Sequence, residues 1–282
     1  MVVFGSLGLA AQSPARGPDI YFVPTPDDVI MKILQMGRVT SEDIVYDLGC
    51  GDGRIVIMAA KEFGARGVGI DIDPVRIRES NENARKAGVT DRVKFMEADL
   101  FQADIHEATV VTLYLLADLN VKLRPKLLRE LKPGTRILSH EFDMGDWKPD
   151  RKGTAQKVKL LYEPSPVEKD VDYYCWVVPA EIAGVWRWNL PGSAVDGEYT
   201  LRLTQKFQKV TGDVEGNGQV ASIRNVRLAG DRLRFTLQEG EKAKKLMRFD
   251  GRVNGDTLRG HVVIQGGPSA GNYDWTAKRE PN

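Results

Sequence analysis

The chain has 282 residues, 42% of them hydrophobic, with 40 basic side chains against 39 acidic ones, so it can bury one substantial core and a smaller second one. This near balance of charge argues against nucleic acid as the main partner, because duplex binders usually show a basic excess. Two cysteines in unrelated contexts, Cys50 and Cys175, give no reason for a disulfide, and no run approaches the roughly eighteen apolar residues of a membrane span.

The chain opens on MVVFGSLGLA, apolar and uncharged, followed by AQSPARGP. Residues 1–19 read either as a plain apolar tail or as the remnant of a secretory signal whose charged leader is missing. The first implies a cytoplasmic protein, the second an exported or membrane-attached one. A helix is expected over 27–36, with Thr25 as its cap and Pro26 at its first position.

Residues 45–54, VYDLGCGDGR, carry the most information. A β-branched strand runs into a glycine-rich turn and then a helix over 54–63, so Gly49, Gly51 and Gly53 let the backbone bend tightly against a ligand. The pattern is Gly-x-Gly-x-Gly, not the Gly-x-Gly-x-x-Gly of pyrophosphate binding, and Asp47 and Asp52 would repel an anion. They suit an ammonium and a sulfonium, which makes S-adenosylmethionine the expected cofactor. GVGIDIDP (67–74) reads as a second strand ending in Asp71, placed for ribose hydroxyls. VKFMEADLF (93–101) reads as a third ending in Asp99, placed for an adenine amino group. Between them a helix over 75–86 is opened by Pro74 and closed by Gly88.

A fourth strand is expected over 109–114 and a helix over 119–131 that Pro125 should kink or begin. Pro133-Gly134 then turns into a fifth strand over 136–142, and 157–162 and 171–178 complete the sheet. The alternation implies a mostly parallel sheet wrapped by helices across residues 20–179. Methyl transfer is an in-line attack that relies on alignment in a dry pocket. The reacting atoms should lie over the ends of strands one, four and five, near Tyr114, Asn120, His140, Glu141 and Asp143. Tyr114 could face a sulfonium, and a carboxylate or phenol could take a proton from a lysine acceptor; each of these groups also has a plain structural reading. No metal site is expected.

From Ala183 the composition changes to short strands with period-two spacing and glycine or Asn-Gly turns, so residues 180–282 read as a small antiparallel barrel or sandwich. It resembles lipocalin-like half-barrels. Trp186, Trp188 and Trp275 either line a ligand pocket or plug the core.

DLGCGDG, GIDIDP and EADLF together resemble the class I S-adenosylmethionine-dependent methyltransferases over roughly residues 21–178. The resemblance implies a Rossmann-like seven-stranded sheet with Gly49, Gly51 and Gly53 bordering the methionine portion. It also implies Asp47 near the ammonium, Asp71 on the ribose, Asp99 by the adenine, and Tyr21 and Thr25 folded over the cofactor as a lid. More narrowly, PDIYFVPTP, DLGCGDGRIVI and ELKPGTRILSHEF are similar to the mitochondrial protein-lysine methyltransferases of the ATP synthase c-subunit and the adenine nucleotide translocase. The expected acceptor is therefore a protein lysine. VVTLYLLADLN does not follow that pattern closely, which keeps open a small-molecule acceptor covered by the β-domain, or a ligand-binding module without turnover.

Overall fold

The computed structural model describes residues 17, 20–160, 167–189, 198–216, 218–239, 245–267 and 269–281. The apolar start and most of the link between the sixth and seventh strands lie outside them.

The first part of the chain runs α1 (Asp27–Gly37), β1 (Ile44–Leu48), α2 (Arg54–Phe63), β2 (Arg66–Asp71), α3 (Pro74–Ala87), β3 (Val93–Glu97), β4 (Val110–Leu113), α4 (Ala117–Glu130), β5 (Arg136–His140), β6 (Arg151–Leu160) and β7 (Val167–Val177). These strands form one seven-stranded sheet in the order β3-β2-β1-β4-β5-β7-β6. The first five are parallel, and β7 runs antiparallel to both β5 and β6. All four residues of β4 are buried, as are four of the five in β1, because helices cover both faces. Val29, Ile33, Val56 and Ala59 pack on one side; Leu123, Leu127, Trp147 and Trp176 pack on the other. Strand order reverses between β1 and β4, and that switch point opens a cleft beyond the strand ends.

Local chemistry explains most helix ends. Asp73 accepts the amide of Val75 at 2.7 Å with Pro74 in the first turn, and Gly88 closes α3 in the left-handed conformation. Pro125 does not open a helix; it sits inside α4, beside the exposed Val121 whose carbonyl loses its amide partner to the ring and can turn to water. β6 begins at Arg151, six residues before the expected start, because its alternate side chains stay solvated and carry little apolar signal.

The second part contains β8 (Gly184–Asn189), β9 (Glu198–Lys206), β10 (Lys209–Gly216), β11 (Gln219–Ser222), β12 (Arg224–Ala229), β13 (Arg232–Glu239), β14 (Lys245–Asn254), β15 (Thr257–Gln265) and β16 (Gly271–Arg279). They form a nine-stranded sheet ordered β11-β10-β9-β8-β16-β15-β14-β13-β12. The two edges, β11 and β12, are consecutive in the chain with Ile223 alone between them, so the sheet must curl until its edges meet. The amide of Ile223 donates to the carbonyl of Gly212 at 3.0 Å there. Trp186, Trp188 and Trp275 are all buried; Trp188 and Trp275 meet edge to face at 5.5 Å, and Phe249 lies against Trp275 at 5.0 Å. They fill the barrel core.

The two sheets are joined at two places. The amide of Ala180 donates to Gly230 at 2.8 Å. Gly230 has φ +60 and a Cβ there would come within 2.9 Å of the Gly134 Cα, so no other residue fits. The tip of the β9–β10 hairpin meets the loop after β5. Phe207 stacks on the fully buried Trp147 at 5.5 Å, the Trp147 indole donates to Gln208 Oε1 at 2.9 Å, and Gln208 Nε2 donates to the Lys148 carbonyl at 2.7 Å. Gln208→Ala would strand that indole donor away from water. The substitution should cost about 1–3 kcal/mol in urea or thermal unfolding; a variant as stable as the parent would show that the joint carries no such load.

Candidate functional site

The cleft at the switch point has a volume of about 310 Å³ and is lined by residues between Ile20 and Leu119, among them Asp47, Gly49, Asp71, Asp99 and Tyr114. Among the described residues, none that lines the cleft comes from the second sheet. The glycine turn after β1 supplies the floor. Gly49, Gly51 and Gly53 have φ of +82, +52 and +79, which a side chain would strain. A Cβ on Gly51 would come within 2.0 Å of the Phe22 ring.

Asp47 is the electrostatic centre. It lies at the end of β1, 2% exposed, and accepts a hydrogen bond from the Thr112 hydroxyl at 2.7 Å. Burial, helped by the nearby charges of Asp71 and Asp52, pushes its carboxyl up to about 7 despite the Thr112 bond. A buried carboxylate in that condition is a seat for a positive charge, and it would repel a pyrophosphate. Asp52 is already neutralised: Arg54 binds it through Nε and Nη2, the latter at 2.7 Å, and also donates to the Thr25 carbonyl.

Asp71, at the end of β2, accepts the Gly51 amide on Oδ2 at 2.8 Å and the Asp73 amide on Oδ1 at 3.0 Å. Each oxygen keeps a lone pair free, the acceptor pattern that two ribose hydroxyls need. β3 stops at Glu97, two residues short of Asp99, which instead opens a turn by accepting the Phe101 amide at 2.8 Å. The turn still brings Asp99, Leu100 and Phe101 to the cleft wall. These acids, the glycine floor and the cationic seat fit S-adenosylmethionine.

The segment before α1 lies at the cleft mouth. Tyr21 is 97% exposed yet lines the cleft, and Phe22 carries the Arg76 guanidinium over its ring at 5.0 Å. Phe22 is not among the residues expected from the sequence; its place between Tyr21 and the first helix was the available signal. Thr25 does not cap α1. Pro26 holds the cap position with no side-chain bond, and the Thr25 hydroxyl turns inward to His140 Nδ1 at 3.2 Å.

Of the five residues expected near the reacting methyl, Tyr114 lines the cleft, whereas Asn120, His140, Glu141 and Asp143 are not among its lining residues. His140, the last residue of β5, packs against the Tyr114 ring, the two rings tilted by 37° with centroids 3.9 Å apart. It is 1% exposed. Burial, assisted by the charge of Lys169, pushes its imidazole down to about 3, so it is neutral and a poor base at ordinary pH. The structure therefore gives His140 the task of holding Tyr114 and Thr25. Glu141 turns with φ +65, accepts the Tyr114 hydroxyl at 3.5 Å and pairs with the Lys169 ammonium. Asn120 is buried and braces this corner through Nδ2, which donates to Ser139 Oγ and to the carbonyls of Phe142 and Asp143. Cys50, in the glycine turn, is a buried free thiol that burial keeps protonated. Among the described residues no cluster of metal-binding side chains occurs.

Comparison with known proteins agrees with this geometry. The ANTKMT methyltransferase domain matches residues 47–151. A protein-lysine N-methyltransferase of Saccharolobus islandicus is 51% identical over 133 residues, 47% of this chain and 83% of that protein. The lysine N-methyltransferase of the ATP synthase c-subunit from Homo sapiens is 33% identical over 129 residues, 46% of this chain, which spans about half of that protein's length, 54%. Among solved structures, an RNA methyltransferase from Salinibacter ruber in complex with S-adenosyl-L-homocysteine is 51% identical, with a TM-score of 0.50, covering 57% of this chain and 96% of that one. The chain therefore belongs to the class I S-adenosylmethionine-dependent methyltransferases, in the family defined by the ANTKMT methyltransferase domain.

Proposed function

We propose that the protein transfers methyl groups to lysine side chains of other proteins. The observation that carries this reading is the corner beside the cleft: Glu141 already holds a lysine ammonium, that of Lys169, next to the hydroxyl of the cleft tyrosine Tyr114. The likeness to the Saccharolobus islandicus protein-lysine enzyme supports it.

S-adenosylmethionine, when bound, supplies a methyl group made electrophilic by its sulfonium. The chain's own residues do the rest by placement. Asp47 would accept the positive end of the cofactor, Asp71 would take the ribose hydroxyls, and Asp99 with Leu100 and Phe101 would border the adenine, all of them lining the cleft. Tyr114 would present its aromatic face to a cation, with the His140 ring packed against it. A lysine acceptor is protonated near neutrality and must lose a proton to become a nucleophile. Glu141 can receive its ammonium in place of Lys169 and hand the proton to solvent. Alignment of this kind is where such enzymes gain most of their rate.

A second reading changes the acceptor to RNA, the substrate class by which the Salinibacter ruber methyltransferase is named. Incubating the purified chain with methyl-labelled S-adenosylmethionine and a fractionated cell extract separates the two. Label in protein bands, on lysine after hydrolysis, supports the first reading; label in RNA supports the second, and label confined to small molecules rejects both.

Three outcomes test the residue roles. Asp71→Ala should weaken cofactor binding at least about tenfold, roughly 1.4 kcal/mol, in calorimetry; unchanged affinity would reject the ribose role. Cofactor affinity should fall about tenfold for each pH unit below 7, because the proton that burial favours on Asp47 must leave before a cation is seated. The sign for stability is opposite: a raised carboxyl favours the fold while protonated and loses that contribution as pH rises toward 7. Asp47→Asn should therefore raise the thermal midpoint of the cofactor-free protein at pH 8 while abolishing the pH dependence of binding, and a lower midpoint would contradict the buried charge. Glu141→Gln should lower kcat at least about tenfold with cofactor affinity unchanged; an unaltered rate would remove Glu141 from the acceptor side.

A further inference from the structure

The outward face of the second sheet carries a concentration of arginine that barrel stability does not require. Along β13, β14 and β15, Leu233, Phe235, Met247, Phe249, Leu258 and Val262 point into the core. Their neighbours Arg232, Arg234, Arg248, Arg252 and Arg259 point out, around a groove of about 700 Å³. Register sets Arg232 opposite Arg252 and Arg252 opposite Arg259, one row of like charge across three strands. Arg227 likewise faces Arg234. Like charges directly opposite on one face destabilise a strand pair, so the arrangement is costly unless an anion answers it.

Only part of that charge is answered within the chain. Asp250 takes Arg232 at 2.6 Å and Arg234 at 2.9 Å, and Asp231 takes Arg252 at 2.6 Å. Arg248 and Arg259 make no hydrogen bond or ion pair among the described residues. Every basic side chain of the Lys/Arg type lining the groove is arginine, and none is lysine. A planar guanidinium fork matches the oxygens of phosphate or carboxylate better than a point charge does.

Continuity of charge chooses between those two. Adjacent strands lie about 4.8 Å apart, so one anionic group with two oxygens can be shared by neighbouring guanidiniums, as Asp250 already is by Arg232 and Arg234. A nucleic-acid backbone carries such a group at every linkage, whereas a peptide carries one only where Asp or Glu falls. The groove is small beside a duplex, whose major groove alone is about 12 Å wide. The outward positions of β13–β15 bear no Phe, Tyr or Trp on which bases could stack. Contact would be to the backbone and indifferent to sequence. The balanced total charge that argued against nucleic acid averages over this segregation.

We propose that the outward face of β13, β14 and β15 binds the phosphate backbone of a single-stranded nucleic acid. This rests on the second sheet alone and stands whichever acceptor the cleft serves. The full chain, titrated against a fluorescently labelled mixed-sequence RNA of about twelve nucleotides, should bind with a logarithmic salt dependence between about −2 and −3, as for three or four neutralised phosphates. The double variant Arg248→Glu, Arg259→Glu should bind at least about tenfold more weakly, with circular dichroism and cofactor affinity unchanged. No binding at about 50 mM salt, or binding that the double variant leaves intact, would overturn the proposal. Tighter binding of a poly-glutamate peptide, or of phosphatidylserine vesicles, than of the RNA would also overturn it and assign the face to an acidic protein or a lipid surface.

Discussion

A carboxylate buried at the carboxyl end of a parallel strand is unfavourable, and the architecture around Asp47 enforces that condition. β2 and β4 flank β1 on both sides, helices cover both faces, and Thr112 supplies a single hydrogen bond. The nearest charges are two more carboxylates, Asp71 and Asp52, which push the Asp47 carboxyl further up. Such a site stores a demand for positive charge. A cofactor that is cationic at both its ammonium and its sulfonium answers that demand, whereas a dinucleotide pyrophosphate would add to the repulsion. Much of the selectivity between two cofactors that share this fold family comes from that one buried group and the acids placed around it.

The rest of the cleft keeps that charge in place and the neighbouring groups still. Arg54 neutralises Asp52 and reaches back to the segment before α1, so the glycine turn and the cleft mouth are tied by one guanidinium. Thr25 and His140 tie the same segment to the end of β5, and His140 in turn supports the Tyr114 ring. The loop after β5 is further braced by Asn120 from α4 and by Trp147 against the hairpin of the second sheet. Through Trp147 the second sheet thus contributes stiffness behind the acceptor side.

The fold class and cofactor were legible in the sequence because both depend on local chemistry. DLGCGDG dictates a strand, a tight turn and a helix through its neighbours alone, and Asp71 follows from the next strand by the same logic. Contacts between distant segments were less legible. Thr25 reads as a helix cap locally, yet its hydroxyl goes to a histidine 115 positions away. His140 reads as a side chain near the reacting methyl, but burial and the Lys169 charge keep it neutral and it does not line the cleft. Lys169 itself gave no signal, because its partnership with Glu141 exists only when β7 returns antiparallel beside β5.

The second sheet divides in the same way. Period-two spacing announced a small barrel or sandwich, while the three tryptophans left a pocket and a filled core both open until the fold placed them in the core. Sequence could not show that strands with ordinary alternation would align their outward arginines in one row, since register is decided by pairing across the sheet. Summed charge is blind to such segregation. By itself, then, the amino-acid sequence determined the strand-end acids, the glycine turn and the cationic cofactor they call for, because each is a matter of residues adjacent in the chain. Tertiary structure alone decided which of the candidate side chains face the cleft, which stand behind it and where unanswered charge collects, because burial and opposing charge depend on segments brought together from far apart.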